Sequence, residues 1–97
     1  METTLNQFSQ IALRIINAQE MIIGPLAWDE AKKVSGFRIN DQKKEEVSFD
    51  GDAKEIVNGL VVQYEHLFGR ASDEVCKEAV QDLIAEMKPD EVPENLK

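Results

Sequence analysis

Any catalysis by this chain would have to start from His66, Cys76 and a scatter of carboxylates, because it holds one histidine and one cysteine. A reactive thiolate needs cationic, accessible surroundings. Cys76 instead lies between Glu74 and Glu78 on the apolar side of a helical segment, which reads as a small buried apolar residue. Asp50 and Asp52 could open a calcium loop, but Lys54 stands where a third oxygen ligand is wanted. That stretch reads as a turn. A nucleophile–His–acid set, a phosphate-cradling glycine loop and a dinucleotide fingerprint are all missing from the pattern. The expectation is a chain with no catalytic, metal or cofactor site.

His66 lies in YEHLFGRAS, a helical histidine followed by an apolar residue, a glycine and small residues. This segment resembles histidine-phosphotransfer domains, which are also four-helix proteins, over fewer than about ten residues. The resemblance implies a signalling component carrying a phosphoryl group on His66. The family pattern has Gly four positions after the histidine with Lys before it, whereas Gly69 follows by three and Phe68 precedes the glycine. Phosphoryl transfer needs cationic stabilisation, and Arg70 is the base nearby. The other reading is a partly exposed His near a helix C-terminus, where a cationic ring is favoured.

Electrostatics offer a different clue. Glu74, Glu78, Asp82 and Glu86 recur every four residues and predict an acidic ridge along one helix. Like charges at that spacing cost about 0.2–0.5 kcal/mol per pair. A basic partner would relieve the repulsion and be steered by it; a solvated, solubilising face is the alternative. From Ser72 to Lys97 there are 8 acids against 3 bases, so the negative charge is concentrated late in the chain. Trp28, beside Asp29 and Glu30, reads either as closure over Leu26 and Ala31 or as an interface anchor. Tyr64 and the tail residues Val92 and Leu96 are further candidate contacts.

The chain of 97 residues suits one domain with a modest core. A net charge of −8 repels phosphate backbones and anionic lipid, so neither nucleic acid nor membrane is an expected partner. A lone cysteine fits a reducing compartment. METTLNQF lacks a basic leader region, and Arg14, Asn17, Gln19 and Glu20 break the apolar stretch after it. A cytoplasmic location is expected.

Four helices must position these residues. The first starts after Thr3 or Thr4, carries Leu5, Phe8, Ile11, Ala12, Ile15, Ile16, Ile22 and Ile23, and ends at Gly24–Pro25. A short second helix covers about Leu26 to Val34 and closes at Ser35–Gly36, with Phe37 folding back on it. Phe37-Arg38-Ile39 and Val47-Ser48-Phe49 alternate apolar and polar, predicting a β-hairpin near residues 37–49 around the loop Asn40 to Glu46. Asp52 and Glu55 approximate a capping box for the third helix, whose apolar face runs from Ile56 to Phe68. Gly69 ends it, and Ser72 caps a fourth helix that runs to Lys88–Pro89. Residues 1–89 are then a single domain, and 90–97 a flexible acidic tail.

The two halves also align without a gap at an offset of 45 positions (24 to 69). Ile11 falls on Ile56, Ile15 on Leu60, Ile16 on Val61, Glu20 on Glu65, Ile22 on Leu67 and Ile23 on Phe68. Beyond the glycines, Ala27 falls on Ser72, Asp29 on Glu74 and Lys32 on Lys77. Chance agreement of amphipathic helices is the alternative to a repeated helix–Gly–helix unit. Gly59, in mid-helix, suggests close approach of another helix such as the first. The expected fold is mainly α, two Gly-bent helix pairs with a small β-hairpin insertion. The expected function is a non-enzymatic, self-associating protein–protein interaction or regulatory module, a homo-oligomer with an acidic helix face toward a basic partner.

Overall fold

The computed structural model describes residues 3–97, with side chains from residue 7 onward. Helix α1 spans Thr3–Ile23 and buries Phe8, Ile11, Ala12, Ile15 and Ile16, the stripe that its 3/4 spacing dictates. The expected capping hydroxyls of Thr3 and Thr4, and the side chain of Leu5, lie outside the described side chains. Gly24 stops the helix with φ +75°, and its N–H donates back to Glu20 O at 2.8 Å. Pro25 then leads into α2, Leu26–Ala31, six residues rather than an extension to Val34. After Ala31 the amides of Lys33 and Val34 bond three residues back, tightening the chain out of the α geometry.

Gly36, with φ +83°, turns the chain into β1 (Phe37–Asp41), which pairs antiparallel with β2 (Glu46–Phe49). Phe37 faces Phe49 and Ile39 faces Val47, so the alternation read from sequence sets the register. The Phe37 and Phe49 rings meet at 5.8 Å between centroids, and Phe37 is buried. A two-stranded hairpin is marginal alone; this one joins the helical core through those apolar side chains.

Helix α3 spans Ala53–Phe68 and is capped by Asp52, whose carboxylate accepts from Lys54 N at 2.9 Å and Glu55 N at 3.4 Å. Gly59 meets Val34, in the turn after α2, and not α1 as its spacing suggested. Helix α4 spans Arg70–Ile84. It starts directly from Gly69, three residues before the expected cap, which leaves the Ser72 hydroxyl to accept from Gln19. It also ends before Met87, and residues 90–97 do not form a free tail. Two 3-10 turns bury Val92, Pro93 and Leu96, while Asn95 N donates to Asn58 Oδ1 and Lys54 Nζ to Asp90 O. Three apolar residues within that stretch suffice to dock it on α3 and α4.

The repeated unit is present in the bonding as well as in the sequence. Gly69 N donates to Glu65 O at 2.7 Å, the counterpart of Gly24 N to Glu20 O. Ala27 N donates to Gly24 O and Ser72 N to Gly69 O, again matching positions. The halves then lock each other. Tyr64 donates its hydroxyl to Ala27 O at 2.6 Å; Gln19, at the position matching Tyr64, donates its amide to Ser72, at the position matching Ala27. Each unit reaches across to the helix that follows the other's bend. The second unit keeps a full helix of 15 residues after its bend, whereas the first is cut short before the hairpin.

The glycines differ in what a side chain would meet. At Gly36 an added Cβ would sit 2.8 Å from Asp50 O and 2.9 Å from Ile56 Cδ1, at φ +83°. Gly69 has open space, but φ 81° with ψ −168° belongs to backbone that other residues scarcely adopt. Gly24 has open space and φ +75°. In urea unfolding, Gly36→Ala should cost about 2 kcal/mol or more, Gly69→Ala about 1–3, and Gly24→Ala about 1. Equal losses at all three would contradict this ordering.

Candidate interaction surface

Among the described residues, the buried polar side-chain atoms other than Asp73 Oδ1 are hydrogen-bonded. Gln19 is 2% exposed, and its Nε2 donates to Ser72 Oγ at 2.8 Å and lies 3.6 Å from Cys76 Sγ. Burial pushes the Cys76 thiol up to about 11, so it stays protonated at neutral pH, as the apolar reading expected. Tyr64 is fully buried, and burial raises its hydroxyl well above the usual range. Glu30 is buried too; hydrogen bonds from Gln63 (2.9 Å) and Lys33 (3.1 Å) hold its carboxyl below the ordinary value. The Gln63 bond ties α2 to α3.

Several candidate contacts are therefore unavailable to a partner. Trp28 is 3% exposed and belongs to the core, with Ala31 but without Leu26, which is exposed. Tyr64, Val92 and Leu96 are buried as well. The ridge is also broken. Asp82 is clamped by Arg14 of α1, which donates to both its carboxylate oxygens (2.9 and 3.3 Å) and to Ala79 O. That bond lowers the Asp82 carboxyl and raises the Arg14 guanidinium. Glu86 lies in the turn beyond α4 rather than on it. Glu74 and Glu78 remain, exposed on α4 and without an ion pair among the described residues.

What the structure brings together is the pair of bends. Ile22 and Ile23 at the end of α1 and Phe68 at the end of α3 line one pocket with Ala71, Ser72 and Val75 of α4. It has a volume of about 140 Å³. Ile22 is 62% exposed, Leu67 45% and Phe68 40%, whereas their helical spacing placed all three on core faces. They sit at the last positions before Gly24 and Gly69, where the chain turns away before the core can cover them. The sequence alignment did carry this signal, since Ile22 matches Leu67 and Ile23 matches Phe68. His66 is exposed in the last turn of α3.

Two larger clefts border α3, one of about 450 Å³ toward the turns flanking the hairpin and one of about 550 Å³ toward Glu94, and share Asp52, Glu55 and Gly59. Two of their carboxylates are already engaged: Asp52 caps α3, and Asp50 pairs with Arg38 at 3.2 Å. Among the described residues no cluster of His, Cys, Asp or Glu could hold a metal ion, and no helix is long and apolar enough to cross a membrane. No protein-family model, curated protein or solved structure matches the chain.

Two outcomes follow from this geometry. A thiol-reactive disulfide reagent should leave Cys76 unmodified in the native protein and react fully in denaturant; fast native reaction would contradict its burial. Asp82→Lys should lower the melting temperature by facing Arg14 with a like charge, while Glu78→Lys should leave it unchanged or raise it. Equal effects of the two would mean the Arg14 clamp contributes nothing.

Proposed function

We propose that this chain is a protein–protein interaction or regulatory module without catalytic activity of its own, working in the cytoplasm. The observation that carries the reading is the apolar surface at the joined bends, where Ile22 and Phe68 stand exposed around a pocket walled by Ile23, Ala71 and Val75. Clustered exposed apolar residues beside polar neighbours are typical of interaction sites. A pocket of this size takes one branched side chain rather than a metabolite. The acidic composition and lone buried cysteine support a reducing, soluble setting. Phosphotransfer through His66 is not favoured, since stabilising a transferring phosphoryl group would fall in its segment to Arg70.

Self-association is a second reading, favoured by Met21 and Leu26. Both are exposed, Met21 to 89%, at the first bend and outside the pocket lining. An isologous contact would cover them.

Two measurements test these readings. Affinity capture from native lysate should retain a common partner on wild type and on Val62→Ser, an exposed apolar change elsewhere. Ile22→Ser with Phe68→Ser should lose it; equal capture by all three would sink the reading. Light scattering should give twice the chain mass for wild type and a monomer for Met21→Ser with Leu26→Ser. A wild-type monomer at high concentration would remove self-association.

A further inference from the structure

We infer that the occupant of the bend surface is a basic amphipathic helix of another protein, with an apolar side chain in the pocket and cationic side chains over Glu74 and Glu78. This rests on the interaction reading above and adds the chemistry of the partner. Two observations lead to it. The first is shape. Arg14 meets Ala79 and Asp82, Gln19 meets Ser72 and Cys76, and Ile22 lines one pocket with Ala71 and Val75, so α1 and α4 run antiparallel. Between the two helices the surface opens at the pocket by the bends and is bounded inward by the buried Gln19–Ser72 bond, with the Arg14–Asp82 clamp further along. An apolar helix face reads such a groove through side chains at i, i+4 and i+7.

The second is charge complementarity. Ala71, Glu74, Val75 and Glu78 occupy successive i, i+3, i+4 and i+7 positions of α4, so the carboxylates border the apolar wall directly. Both are exposed and carry no ion pair among the described residues, unlike Asp82, whose charge Arg14 answers. Neither Arg70 nor Lys77 lines the apolar pocket, although Lys77 shares a separate cleft with Glu74, Glu78 and Gln81 on the other side of that stripe. The whole chain carries −8, which disfavours an acidic partner at this surface. A cationic helix is attracted by the field and anchored by the pocket.

The test uses the full chain and a labelled synthetic peptide of about 18 residues, Leu at i, i+4, i+7 and i+11 with Lys and Gln elsewhere. A scrambled peptide of identical composition, with no apolar face, is the control. Fluorescence anisotropy should give at least about tenfold tighter binding of the amphipathic peptide. Glu74→Gln with Glu78→Gln should weaken it severalfold, as should Phe68→Ser; all three residues are exposed, and unchanged circular dichroism checks folding. Equal binding of both peptides, or binding indifferent to these changes, would overturn the inference. So would failure to bind while Ile22→Ser with Phe68→Ser still loses its captured partner, which leaves the interaction reading standing. If capture is also indifferent to those residues, both fall. A complex mass of two chains that excludes the peptide assigns the surface to a second copy and likewise overturns it.

Discussion

A buried tyrosine hydroxyl and a buried glutamine amide each need an acceptor, because burying either one unpaired costs about 1–3 kcal/mol. In this fold each finds it on the helix that follows the other unit's bend. Tyr64 reaches Ala27 O, and Gln19 reaches Ser72. The two bonds work only if α2 and α4 leave Gly24 and Gly69 at the angles observed. They join elements 37 and 53 residues apart in sequence and so set the global arrangement rather than a local turn. The apolar stripes of α1 and α3 supply most of the driving force, but stripes alone leave the helix directions loosely specified.

Much of this was legible from the residues. The breaks at Gly24 and Gly69, the hairpin with Phe37 opposite Phe49, the Asp52 cap and the burial of Cys76 follow from local chemistry. The offset alignment pointed to the repeated unit, but Gln19 and Tyr64 escaped it because the two side chains share no chemical likeness. Their equivalence lies in the bond each makes across the molecule. Gln19 read as a polar interruption of an apolar stretch, when it is a buried connector. Ser72 looked like a cap because Ser before acids favours helix starts, yet Gly69 starts α4 and frees that hydroxyl for Gln19. Tertiary demand overrode a local preference.

The candidate surface was harder to read for the same reason. Spacing marks a helix face as apolar without saying where the core stops, so Ile22, Leu67 and Phe68 looked buried. A charged ridge at four-residue spacing cannot disclose that one member, Asp82, faces an arginine 68 positions earlier. Nor does it disclose that α4 ends before Glu86. The tail carried only three apolar residues among its acids, and their burial depends on space left beside α3 and α4. What stays exposed of the candidate residues is smaller than the sequence suggested, and most of the exposed large apolar side chains lie at the bends. The cross-bonds that hold α1 and α3 in place thus also present their last apolar residues to solvent.

Residue-resolved amide hydrogen exchange on Tyr64→Phe and on Gln19→Leu tests this reciprocal locking most directly. The account predicts that Tyr64→Phe loosens amides around the first bend, residues 24–28, and Gln19→Leu those around the second, residues 69–73, beyond any uniform change. Uniformly faster exchange in both variants, with no preference for the opposite unit's bend, would contradict it.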